Sequence, residues 1–166
     1  MTVIEDKARA EVLNLYGNRL RLRVCGLHRD GDRLLMVRHR GINASDTFWC
    51  PPGGGLQFGE TTREGLIREF DEETGLNVDV GEMLFVNEFR EPPLHALELF
   101  FAVDVTGGFI RQGLDPEMSL DGQIIEEVRL MTVDEIKSYP PNEVHTLFGQ
   151  CHSIEDVFAL RGFLAS

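Results

Sequence analysis

The chain has 166 residues, 42% of them hydrophobic and 27% charged, which is long enough for a real core and argues against disorder. Its 28 acidic against 16 basic residues leave a formal net charge of −12, which rules against binding a nucleic-acid backbone through a basic face. Cys25, Cys50 and Cys151 show no paired spacing, no window approaches a membrane span, and the N-terminal residues lack the apolar core of a secretory signal; the expected setting is a reducing cytoplasm with no membrane attachment.

Residues 5–16 carry Ala8, Val12, Leu15 and Tyr16 at helical spacing and predict a short leading helix, ended by Gly17-Asn18. One domain is expected over residues 1–166, with residues 1–17 as an N-terminal extension. Two strand-like runs follow, residues 20–27 and 34–37, joined through Arg29-Asp30-Gly31-Asp32, where Asp-Gly signals a hairpin. Arg38-His39-Arg40 comes next. A basic cluster in an acidic protein makes Arg38 and Arg40 candidates for contacting a substrate phosphate, against the plain alternative of a strand end in water. Trp49, the only tryptophan, suits packing before a tight turn better than stacking on a base.

Pro51-Pro52 leads into Gly53, Gly54 and Gly55, a predicted turn whose backbone can approach a ligand closely and offer a carbonyl to a metal. Thr61 with Glu64 forms a capping box that starts a helix after Glu60, and Gly75 suits its left-handed end. Within that helix Glu69, Glu72 and Glu73 stand at i, i+3 and i+4 and share a face, while Leu66, Ile67 and Phe70 make a stripe expected to bury. Arg68 lies four residues from both Glu64 and Glu72 and is placed to orient carboxylates. An acidic helix is ordinarily a solvated face, yet a solvated helix needs no glycine loop in front of it. Phosphates cannot approach such a cluster unless divalent cations lie between, so the acidity itself argues for a metal.

Residues 78–90 and 94–105 read as two longer strands turning at Glu91-Pro92-Pro93, and the near-continuous apolar run 97–103 fits a strand covered on both faces. Residues 107–122 read as a loop with turns, and a last strand spans roughly residues 124–131. Thr132 with Glu135 caps a short helix ended by Pro140-Pro141, and helical runs are expected over 142–148 and 153–164, the second capped by Ser153. Strands in the middle with helices before, within and after predict an α/β fold, a mixed sheet covered on both faces.

From Gly54 the register runs five residues to Glu60, seven to Arg68-Glu69, then Phe70, Glu72-Glu73, Gly75 and Leu76. Chance would fill all these positions in a chain of this length on the order of once in ten million, given average residue usage. The stretch resembles the signature of the Nudix hydrolases without a departure. The resemblance implies an α/β/α sandwich and a metal-dependent pyrophosphohydrolase that cleaves a phosphoanhydride in a nucleoside diphosphate-linked substrate, of the nucleoside triphosphate, ADP-ribose or nucleotide-sugar type. It also implies Mg²⁺ or Mn²⁺ held by the Gly54 carbonyl and by Glu69, Glu72 and Glu73, one of which assists as base, with Glu60 and Arg68 as structural support. Family members often recruit an acid from outside the signature, for which Glu126, Glu127 and Glu117 are the candidates here. Some ADP-ribose hydrolases of the family carry a proline at about the spacing of Pro92, where a hairpin turn would also want one. The alternative is a non-catalytic module that senses a nucleotide with the same fold, although no signature acid is lost. Small-molecule nucleotide is the expected partner, and a homodimer is plausible from exposed strand edges and the extra N-terminal segment.

Overall fold

A computed structural model describes residues 3–165, and side chains from Lys7 onward. The leading helix α1 covers Val3–Tyr16, and nine strands follow: β1 Arg19–Leu27, β2 Arg29–Asp30, β3 Arg33–His39, β4 Phe48–Cys50, β5 Gly53–Gly55, β6 Leu76–Glu91, β7 Leu94–Gly108, β8 Ile125–Thr132 and β9 Gly162–Ala165. Helix α2, Thr62–Thr74, lies between β5 and β6, while α3, Val133–Lys137, and α4, Ile154–Ala159, follow β8.

Five strands form a mixed sheet in the order β5-β1-β7-β6-β9, with β1 parallel to β7 and β9 parallel to β6. The other four make an antiparallel sheet in which β3 is central, pairing β2 and β4 on one edge and β8 on the other. Helix α2 covers one face of the five-stranded sheet, packing Leu66 and Phe70 on Val24, Phe101 and Val103. On the other face lie α3 and α4, with Ile136, Ile154 and Val157 against Phe85 and Phe100, and α1, with Ala8 and Val12 against Phe89 and Ala96. Helices on both faces give the expected α/β/α layering.

Several local expectations need correction. The first two strands do not pair as a hairpin: only Arg29 and Asp30 pair with Leu34 and Arg33, and β1 and β3 diverge into different sheets. The three glycines are not a free turn but an edge strand antiparallel to β1, with Gly54 opposite Val24. Ile67 is 44% exposed, so the buried apolar stripe of α2 is Leu66 and Phe70. Residues 142–148 form two short 3₁₀ segments, Pro141–Glu143 and Thr146–Gln150, around an isolated bridge from Val144 to Trp49. The run from Ser153 is helical only to Ala159; Gly162, at φ 80°, turns the chain into β9. Trp49 is fully buried and packs on Tyr139 with ring centroids 5.8 Å apart.

Candidate active site

Helix α2 begins and ends as its residues dictate. The Thr61 hydroxyl accepts from the Glu64 amide, the Glu64 carboxylate accepts from the Thr61 amide, and Gly75 closes the helix at φ 74°. The carbonyls of its last turn, normally left without partners, accept from a loop: Arg111 N–H donates to Thr74 O at 2.9 Å, Gly113 to Glu73 O at 2.9 Å and Leu114 to Glu72 O at 3.2 Å. With Leu66 and Phe70 buried and both ends tied, the rotation of the helix is fixed. Its acidic face is therefore turned toward β5.

Arg68 organises that face. Its Nε and Nη2 donate to the two oxygens of Glu60 at 3.1 and 2.7 Å, Nη1 donates to Glu69 at 2.7 Å and to Glu72 at 3.2 Å, and Nη2 also reaches the Gly55 carbonyl at 3.1 Å. Glu64 takes no part, because the cap occupies it. Glu60 accepts in addition from the Gln57 amide at 2.7 Å, and the Arg68 bond in particular holds its carboxyl below the usual range. Glu73 accepts from Gly53 N–H at 3.1 Å and meets His39 Nε2 at 3.3 Å.

Glu69 and Glu73 are almost fully buried, at 9% and 6% exposure. Burial, reinforced by the negative charge of Glu73 and only partly offset by Arg68, pushes Glu69 up to about 8. Burial also raises Glu72. Burial would discharge His39, but its contacts with Cys50 and Glu73 outweigh this and raise the imidazole. A Cβ at residue 54 would overlap the Glu69 carboxyl, so only glycine leaves room for that side chain against the strand. Hard oxygen donors of this kind, three carboxylates and a backbone carbonyl, fit Mg²⁺ or Mn²⁺ in chemistry. Among the described residues no three such groups enclose an ion as they stand, since Arg68 sits between Glu69 and Glu72.

The carboxylates open into a cleft that runs between the two sheets toward an apolar wall of Val12, Ile42, Phe48, Phe89 and Leu94. Glu117 lines this cleft and accepts from the Tyr16 hydroxyl. Arg38 and Arg40 do not. They line a separate pocket with Gln112, Gln123 and Glu126, where Arg38 pairs with Glu126 at 2.9 Å and Glu127 at 3.4 Å, and Arg40 Nε donates to Gln123 O at 2.6 Å. Glu126 and Glu127 are thus engaged by Arg38, apart from Glu69, Glu72 and Glu73.

Other residues of the site had no signal of their own in the sequence. Asp115 lines the cleft, and burial raises its carboxyl. Glu98, inside the apolar run of β7, is fully buried and accepts from Arg23 at 2.7 Å and Asn87 at 3.1 Å while meeting His145 Nε2 at 2.6 Å. Arg23 passes this support on to the glycine strand through Gly53 O at 3.3 Å. The pairing register explains the network, because Asn87, Glu98 and Arg23 stand side by side across β6, β7 and β1. A lone glutamate among Leu97, Leu99 and Phe100 was the available clue.

Residues 18–148 match the family model for the NUDIX domain. The chain belongs to the NUDIX family. This NUDIX protein is 33% identical over 94 residues to an ADP-ribose pyrophosphatase of Methanocaldococcus jannaschii, a match spanning 55% of each chain. It is 40% identical over 63 residues to an m7GpppN-mRNA hydrolase of Xenopus laevis, across 37% of this chain and 21% of that one. The chain spans about half or less of the length of these curated relatives. Among solved structures, a NUDIX hydrolase from Nitrosomonas europaea superposes with a TM-score of 0.68 at 22% identity, covering 85% of this chain and 90% of that one, which establishes the shared fold.

Proposed function

We propose that this NUDIX protein is a divalent-cation-dependent hydrolase that adds water across a phosphoanhydride of a nucleoside diphosphate-linked substrate. The observation that carries the reading is the pair of buried carboxylates, Glu69 and Glu73, held against a side-chain-free strand by Arg68 and the Gly53 amide. Mg²⁺ or Mn²⁺ bound by Glu69, Glu72, Glu73 and the Gly54 carbonyl would neutralise the phosphates and make bound water acidic.

The protein's own part is positional and protolytic. Arg68 holds Glu69 and Glu72 in fixed directions while Glu60 fixes Arg68. One carboxylate takes a proton from the attacking water, the water oxygen bonds to phosphorus, and the bridging oxygen leaves with the departing phosphate. The similarity to a named ADP-ribose pyrophosphatase favours a nucleoside diphosphate sugar over a nucleoside triphosphate.

The test is product release from a panel of ADP-ribose, nucleotide sugars, nucleoside triphosphates and dinucleoside polyphosphates, with Mg²⁺, with Mn²⁺ and with chelator. Turnover that a chelator abolishes and that concentrates on ADP-ribose or a nucleotide sugar is the expected result. Binding of these compounds without cleavage under either metal would replace the hydrolase with a nucleotide sensor.

A further inference from the structure

Three arginines line the cleft, and their charges are used differently. Arg68 is taken up by Glu60, Glu69 and Glu72, and Arg23 by Glu98. Arg21, among the described residues, makes no hydrogen bond and no ion pair, and Asp115 and Glu117 act on it only at longer range. Its guanidinium sits over one partner, the ring of Tyr16, with the central carbon 3.6 Å from the ring centroid. In a chain with 28 acidic residues, a half-buried arginine without a carboxylate calls for another anion.

The cleft leads such an anion to it. Gly54 and Gly55 face opposite sides of the edge strand β5: a Cβ at 54 would run into Glu69, and one at 55 would lie 3.2 Å from Arg21 Nη2. With no side chain at either position, the cleft is continuous past the strand from the carboxylates to the guanidinium. A planar fork facing such a passage suits the paired oxygens of a phosphate.

Tyr16, which props the fork, belongs to α1, outside the residues 18–148 that match the family model. Helix α1 is itself clamped to the loop on the far rim: Lys7 pairs with Asp121 at 3.0 Å, Glu11 accepts from the Ser119 amide at 2.9 Å, and Tyr16 donates to Glu117.

We propose that Arg21, propped on Tyr16, clamps a substrate phosphate other than the one at the carboxylates, so that a helix outside the residues matching the family model sets substrate affinity. The inference rests on the hydrolase reading for its ligand class. Isothermal titration of ADP and inorganic pyrophosphate in Mg²⁺, with adenosine as the uncharged control, tests it on the full chain. Arg21→Gln is expected to weaken ADP and pyrophosphate by at least about ten-fold at an unchanged melting temperature, with Arg21→Lys between it and the wild type. Tyr16→Phe, which keeps the ring, is expected to retain more affinity than Tyr16→Leu, which removes it.

Wild-type binding with Arg21→Gln equal to it overturns the clamp and leaves the hydrolase reading standing; so does Arg21→Lys equal to wild type, should the glutamine variant not fold. Wild-type protein that binds neither phosphate compound overturns both. Tight binding with the Arg21→Gln loss, but no turnover on any substrate, supports the clamp and removes the hydrolase alone.

Discussion

Glu98 keeps its charge where no water reaches it. Burial by itself would raise its carboxyl, but the His145 imidazole, then Arg23 and Asn87, reverse that and hold it at about 2. A carboxyl depressed on folding stabilises the fold above its unfolded value of about 4.5, and the contribution drains away as pH falls toward about 2. Glu98→Gln should therefore cost about 3–5 kcal/mol at pH 7, since it leaves Arg23 charged, buried and unpaired. Calorimetric melting at pH 7 and at pH 3 checks this: the gap between variant and wild type narrows at the lower pH, and a constant gap would show that shape rather than charge is at stake. Glu73→Gln is a different case, because Glu73 sits at the carboxylate face and a glutamine keeps an oxygen to accept from the Gly53 amide. That variant should stay folded by circular dichroism and lose metal-dependent turnover; wild-type activity in a folded Glu73→Gln protein would remove Glu73 from the reaction. At this scale the signature acids were legible because a helix converts spacing into a shared face. Asp115 and Glu98 were not, since their placement depends on which strands become neighbours, and that information is spread over the whole chain.

Helix α2 shows how much a single element can announce. Its cap, its stop and its buried Leu66 and Phe70 were all readable from local chemistry, whereas Ile67 falls just outside the covered arc and ends 44% exposed. The glycines at 54 and 113 do two separate jobs. Gly54 makes room for the Glu69 carboxyl, so Gly54→Ala should lower turnover strongly with a small loss of stability, because a side chain rather than backbone must give way. At Gly113 a Cβ would run into the backbone carbonyl of Glu72. Gly113→Ala should therefore cost about 1–3 kcal/mol and detach the loop that satisfies the end of α2, visible as faster amide hydrogen exchange at Arg111, Gly113 and Leu114. Unchanged exchange there would mean the loop accommodates the methyl. The last strand escaped notice for a plainer reason. Four residues, Gly162–Ala165, offer too little alternation to be told from the end of a helix, and only their pairing with residues 85–88 of β6 makes them a strand.

For the molecule as a whole, a net charge of −12 surrounds a cleft proposed to take an anion. Long-range repulsion should slow the approach of a phosphate compound, and added salt should relieve it. At fixed free Mg²⁺ the KM for the best substrate is expected to fall as KCl rises from about 10 to about 150 mM. A KM that climbs instead would mean that the local field of Arg21 governs capture. Layering was predictable at this scale from the order of strands and helices, but the division of strands into two sheets was not, because β1 and β3 are parted only by the two-residue β2 and separate through their partners β7 and β8.

The clamp between α1 and the far rim carries a consequence for how the protein is made. Lys7, Glu11 and Tyr16 are bonded to residues 114, 108 and 101 positions later. During synthesis the helix that walls the cleft leaves the ribosome well before these partners and waits for most of the domain until they arrive. Until then the apolar stripe of Ala8 and Val12 lacks Met118, Ile124 and Ile125, the late-made part of the cluster that buries it.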